Sequence, residues 1–307
     1  MSSLVIPKLY IRPQSEVEIA RRANRLLIRS GCVGVLPTPI EQLYEIAKVK
    51  EIELDRSEAA SIWSRFSTRA RLLVMNVINE VRGAADLKKR VVFVPQDDTK
   101  PRLLFARAHE LGHQVLDWHY VNSDYLDSAQ TLSPYCKDYF ELEANHFAAE
   151  AIFQGQRFRD MARQYRPEFA SIFELATRHG ASRHATFWRF VEVHDEPVAG
   201  IFYFPARRGW APEAVQAGFT LQKVLHSSAF SLRYGSVTFE GRLNFQHAWA
   251  QARTAHEPAA GEMPINVGGR PVSFLWEAYW NNYFLMVLLR RRPALISVGH
   301  LLRLTEK

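Results

Sequence analysis

The chain has 307 residues, 47% of them hydrophobic and 23% charged, values that exclude wholesale disorder and a membrane-embedded bundle. At roughly 100–200 residues per domain, the length allows two or three domains with sizeable cores. The net charge of +7 permits an anionic partner without requiring one, and the two cysteines, Cys32 and Cys136, exclude a disulfide framework and a paired-cysteine zinc knuckle.

In chain order, Glu16 to Arg29 carries Val17, Ile19, Ala20, Ala23, Leu26 and Leu27 at helical spacing, and Gly31 with Gly34 ends the run. Pro39 to Val49 reads as a second helix. Arg90 to Pro95 is a short β-branched strand, followed by a polar stretch (QDDTK) and Pro101 at the start of a helix over Leu103 to His119. Tyr139 to Phe153 is the next helix. From Tyr283 to Leu289 (YFLMVLL) runs the longest apolar stretch, far short of the roughly 20 residues that span a bilayer, so it reads as a buried strand. The N-terminus has Lys8 and Arg12 but lacks the pattern of a secretory signal, so a cytoplasmic location and no membrane partner are expected.

The chemistry-bearing motif is Ala108-His109-Glu110-Leu111-Gly112-His113. At about 100° per residue, His109 and His113 lie about 40° apart on one helix face, with Leu104, Ala108, Leu111 and Val115 opposite. Two imidazoles one turn apart suit a metal ion, and Glu110 is turned so that it reaches a water at such a site without ligating. A third protein ligand is then needed. In Glu141-Leu142-Glu143-Ala144-Asn145-His146, Glu141 shares a flank with Ala144, Asn145 and Ala148, small enough for close helix packing, whereas Glu143, His146 and Glu150 point away. Glu141 is the chosen third ligand, Glu143 the alternative, and Asn145 is available to hydrogen-bond a ligating histidine. Glu143, His146 and Glu150 otherwise read as a solvated face, His119 and Asp117 as a solvated helix end, and Cys136 as an ordinary thiol.

The run RLLFARAHELGHQVL, with ELEANHFAAEAI beginning 28 residues after His113, resembles the ImmA/IrrE group of metallopeptidases over roughly Ser15 to Phe153. The resemblance implies a gluzincin-like zinc endopeptidase, coupled to stress or mobile-element regulation, that cleaves a transcriptional repressor. The implied cofactor is Zn2+, with Mn2+ the alternative. Where the group usually ends this helix with Leu-Leu-Met-Pro, this chain has Ile152-Phe153-Gln154-Gly155, a departure that touches the expected substrate pocket.

Beyond Gly155 the composition turns basic: Arg157, Arg159, Arg163, Arg166, Arg178, Arg183 and Arg189 face only Asp160, Glu168 and Glu174. Pro167 to His179, the turn Gly180-Ala181-Ser182 and Arg183 to Val193 have the form of a helix-turn-helix, with Ser182 as N-cap and Arg183, His184, Thr186 and Phe187 opening the helix that would meet a DNA groove. Two amphipathic helices with solvated arginines have the same pattern. After Pro197 come short apolar runs, GIFYF, VSFLW and YFLMVLL, that suit a GAF-like sensor domain of the kind some members of the group carry. The aromatic run Trp276, Tyr279, Trp280, Tyr283 and Phe284 reads as core.

The expected fold class is therefore α+β: a mainly helical peptidase domain with a small sheet over 1–155, helix-turn-helix-like helices over 156–196, and a C-terminal α+β domain over 197–307. The expected function is metal-dependent peptide hydrolysis with Glu110 as general base and His109, His113 and Glu141 as ligands, an extended substrate pairing with the strand Val91 to Val94. The rival is a DNA-binding regulator in which the metal is only structural. Residues 198–307 are expected to regulate access to the site, and truncation near Pro197 is the direct test of that role.

Overall fold

The computed structural model describes residues 11–54, 84–86, 90–95, 99–119, 134–205, 218–235, 237–255 and 257–292. Lys8, residues 96–98 of the polar stretch and the Cys136 side chain lie outside what is described. The class is α+β, and the chain divides into two compact units: Met1–Met161 with Glu174–Thr186, and Ala162–Phe173 with Phe187–Lys307. The basic stretch 156–196 is shared between them.

In the first unit, helix α1 (Pro13–Arg29) starts on a proline, whose missing N–H costs nothing there, and buries Ile19, Ala23, Leu26 and Leu27. Helix α2 (Ile40–Ala47) leads into strand β1 (Lys50–Leu54). Strands β2 (Ala84–Asp86) and β3 (Val91–Pro95) complete a sheet of order β1-β3-β2, in which β3 runs parallel to β1 and antiparallel to β2. The strand at 91–95 is thus where the sequence places it, but it is central. Both its edges are occupied, so a substrate backbone cannot pair with it, contrary to the expectation.

Helix α3 (Lys100–Val115) packs against β3 and β2 on one side and helix α4 (Pro134–Phe153) on the other. Arg107 fixes its position from beneath, donating to Glu51 on β1 at 2.6 and 2.9 Å and to Glu41 on α2 at 2.8 Å. The helix stops four residues before His119 because Leu116, fully buried, turns extended (φ −83°, ψ 92°). Arg22 of α1 then takes the Val115 carbonyl at 2.8 Å and the Asp117 carboxylate at 2.7 Å, so a cation meets the negative end of the helix.

Helices α3 and α4 cross closely at Gly112, where a Cβ would stand 3.2 Å from Phe147 and 3.3 Å from the Ala144 backbone. At the far end of α4 the departure Gln154-Gly155 has a structural use. The Gln154 amide donates to the carbonyls of Cys32 and Val35 and to the Thr38 hydroxyl, and its oxygen accepts from Gly34 N–H, pinning the 32–38 loop. Gln154 lies 13 residues along α4 from Glu141, about 20 Å at helical rise, so this departure leaves the ligand cluster untouched.

The second unit is built on a six-stranded antiparallel sheet of order β6-β5-β4-β9-β8-β7. The strands are β4 (Val198–Pro205), β5 (Phe219–His226), β6 (Arg242–Leu243), β7 (Ala259–Val267), β8 (Arg270–Trp280) and β9 (Leu285–Arg290). Central β4 and β9 are buried over Val198–Tyr203 and Leu285–Leu289, as the continuous apolar run in the sequence requires. Ala199, Ile201, Tyr203, Phe274, Trp276 and Val287 form one core with Phe230 of helix α8 (Ser228–Tyr234) and Trp249. Of the aromatic run, Trp276 is in this core, whereas Tyr283 is 59% exposed.

The stretch that the two units share holds helices α5 (Gln156–Ala162), α6 (Phe169–His179) and α7 (Arg183–Val193). The turn between α6 and α7 needs Gly180, whose φ of +62° few other residues adopt, and Ser182 caps α7 by accepting from the Ala185 N–H at 3.1 Å. Among the described residues no helix is long and apolar enough to cross a membrane.

Candidate metal centre

The i, i+4 spacing on α3 brings the two imidazole Nε2 atoms of His109 and His113 to 3.2 Å from each other. From α4, Glu141 places one carboxylate oxygen 3.2 Å from His109 Nε2 and the other 3.7 Å from His113 Nε2. These three side chains are a group able to hold one ion. The histidines are largely shielded while the Glu141 side chain is 45% exposed, so the cluster opens to solvent on its α4 side.

Proton positions decide what the three atoms can do. His109 Nδ1 is 3.0 Å from the Asn145 amide oxygen, which can only accept, so a proton sits on Nδ1, and in the neutral ring that leaves the Nε2 lone pair facing the cluster. Burial, together with neighbouring His109 and His119, pushes His113 down to about 3, which favours its neutral form. For His109 burial is the largest influence and disfavours the charge, but Glu141, Glu110 and Asn145 outweigh it and raise its pKa. Ligand atoms held at about 2.0–2.1 Å from a tetrahedral zinc ion would be roughly 3.3 Å apart, close to the separations seen. The donor set therefore fits a divalent cation.

Glu110, on the same helix, is almost wholly buried, and that burial pushes its carboxyl up to about 7, with Glu141 adding to the rise and His109 opposing it. Such a group exchanges a proton near neutrality.

Glu143 does not join the cluster. It is 1% exposed rather than solvated, and its Oε2 accepts from Trp118 Nε1 at 2.6 Å and contacts His119 Nε2 at 3.0 Å. His119 is likewise 2% exposed, with Nδ1 3.0 Å from His113 Nδ1, so it is no frayed helix end. Glu150 too is buried, and His146 half-buried. The sequence reading missed the burial of Glu143 because the wheel of α4 records only its own face, and the segment 116–119 brings Trp118 and His119 onto Glu143 from outside it.

In α7, Thr186 and Phe187 are fully buried, Phe187 stacking on Phe169 at 5.3 Å, so neither can meet a groove. Arg183 is exposed and His184 half-buried.

A helix pair presenting two histidines and a glutamate, with a buried glutamate between the histidines, is an HExxH sequence folded into a group that could hold a metal ion. Residues 68–189 match the model of the IrrE N-terminal-like domain, Peptidase M78, which bears out the resemblance to the ImmA/IrrE group. A Mycobacterium tuberculosis transcriptional regulator of solved structure has the same overall fold, with a TM-score of 0.53 at 12% identity, covering 90% of this chain and 76% of that one. No curated protein matches the chain.

Proposed function

We propose that the chain is a metal-dependent endopeptidase whose site is His109, His113 and Glu141, with Glu110 as general base. The observation that carries this reading is the convergence of two imidazole Nε2 atoms and a carboxylate, 3.2 to 3.7 Å from one another, beside a buried glutamate. A bound Zn2+ or Mn2+ would supply Lewis acidity, making water more acidic and polarising a carbonyl. Glu110 takes the proton from the attacking water and returns it to the leaving amine, which its pKa near neutrality allows in both directions. His109 and His113 keep their lone pairs on the open cluster because their other nitrogens are held.

Strand β2 supplies the binding edge that β3 cannot. Among the described residues it pairs only with β3, and it lies against α3, so an extended peptide can add to its second edge. The proposed substrate class is an extended or unfolded segment of a protein, with a transcriptional repressor, which the resemblance to the ImmA/IrrE group implies, as the first candidate. The deciding experiment incubates the zinc-loaded protein with candidate repressors, one encoded beside this gene first among them, and maps products by mass spectrometry. Cleavage by wild type and none by Glu110→Gln supports the reading; equal cleavage by both overturns Glu110 as the base.

A second reading, a DNA-binding regulator with a structural metal, is favoured by the exposed Arg183 and by the regulator fold neighbour. The burial of Thr186 and Phe187 leaves it few base-reaching groups. Duplex DNA binding that weakens with salt and is lost in Arg183→Ala, without proteolysis, would favour it.

A further inference from the structure

His119 lies beyond the end of α3 and outside the HExxH motif, yet it is built into the site from three directions. Leu116 turns the chain, the His119 N–H closes the turn on the Leu116 carbonyl at 2.8 Å, and the ring lands between Phe140, at 4.6 Å between centroids, and His113. Arg22 holds Asp117 and lies 5.1 Å from the centre of the Trp118 ring, so the residues flanking His119 are also fixed.

The directions of the hydrogen bonds follow from one donor that has no alternative. An indole N–H can only donate, so at 2.6 Å from Trp118 the Glu143 Oε2 is an acceptor. The same oxygen, 3.0 Å from His119 Nε2, must accept there too, which places the His119 proton on Nε2. The His119 tautomer with its single proton on Nε2 presents a bare Nδ1, and across the 3.0 Å contact with His113 Nδ1 it takes the proton of that bond from His113. His113 is left with its Nε2 lone pair on the ligand cluster. Asn145 does for His109 in one bond what Trp118, Glu143 and His119 do for His113 in a chain of three.

We propose that His119 and Glu143 are positioning residues that fix the tautomer and ring orientation of His113, so that metal affinity depends on two side chains that never touch the ion. This rests on the metal-site reading above and is independent of whether the protein cuts peptides. The proof lies in a pair of substitutions with the same burial and different acceptor chemistry. His119→Phe keeps a ring beside Phe140 and removes the acceptor; His119→Asn keeps an oxygen able to accept from His113 Nδ1. By chelator-competition titration of Zn2+, His119→Phe should bind about 10–100-fold more weakly than wild type, with His119→Asn recovering most of the loss. Bound Co2+ should give an altered visible spectrum only in the phenylalanine variant.

Equal zinc affinity in wild type and His119→Phe overturns the proposal while leaving the metal site standing. Failure of wild type to bind either ion overturns both. A wild-type protein that binds zinc and cuts nothing removes the peptidase reading alone. Should His119→Phe fail to fold, imidazole 15N chemical shifts of the metal-free wild type still decide: a His113 proton on Nδ1 and a His119 proton on Nε2 are expected, and the opposite tautomers overturn the proposal.

Discussion

The two helix pairs, α3 with α4 and α6 with α7, look alike in sequence, each two successive helices studded with histidine or charge. In the first, the polar groups are the buried ones: Glu110, Glu143 and His119 are each under 5% exposed and aimed at one another or at the cluster. In the second, the large buried side chains are aromatic, Phe169, Phe187 and Phe190, and the buried polar His179 and Thr186 bond the backbone carbonyls of Leu175 and Ser182 one turn earlier rather than converging on one another, while Arg183 faces outward and Arg163 pairs with Asp195. Polar residues cost free energy to bury, so a buried set with convergent partners marks chemistry, and an exposed set marks solvation.

The sharpest way to break this contrast is to neutralise one buried polar group and one buried ring. Glu110→Gln should lower cleavage by roughly 10²–10⁴-fold with zinc still bound, measured as kcat/KM on the identified substrate. The same change reports on the metal-free fold. The folded pKa of Glu110 stands above its ordinary 4.5, at about 7, so its contribution to stability is fully present below pH 4.5 and is lost as pH rises to 7. Metal-free wild type should therefore lose stability relative to Glu110→Gln across that window in urea titrations at successive pH values; parallel curves would show that Glu110 is not buried as described.

Phe187→Ala should act the other way, destabilising by about 3–5 kcal/mol in urea unfolding through lost burial and a cavity. A smaller loss, about 1–3 kcal/mol, is expected for Gln154→Ala, which strands the Gly34 N–H and the carbonyls it holds, without weakening zinc binding. Arg183→Ala should move the thermal midpoint by less than about 2 °C, and any larger shift would show that the outward arginine carries structure. Truncation near Pro197 is no longer a clean test of regulation: it would strip Phe187 and Val191 of Phe202 and Gly200, so aggregation is the expected outcome.

What was legible in the sequence follows from the range of the interactions involved. His109, His113, Glu141 and Asn145 were readable because one-turn spacing within a helix fixes which side chains share a face. The Ser182 cap and the buried β9 were local patterns too. The Glu143–His119 contact was not, since it depends on the chain turning at Leu116 and returning over α4, a helix that is enclosed on more than one flank: Glu143, Ala144, Phe147, Glu150 and Ala151 are all buried. The central place of β3 was hidden for the same reason, because its pairing with β1 joins residues about 40 positions apart.

Gly112 stands between the ligand-bearing Leu111-Gly112-His113 turn and Ala144. A glycine inside a helix gives up about 1 kcal/mol relative to alanine, so this position trades helix propensity for proximity. The distance between the two helix axes is thereby the tolerance-setting dimension of the whole centre. A single methyl at 112 would press on Phe147 and on the Ala144 backbone, so α4, which also carries Glu141 and Asn145, would have to give by a few tenths of an ångström. The site behaves as a gauge block in which one hydrogen atom, at residue 112, sets the gap.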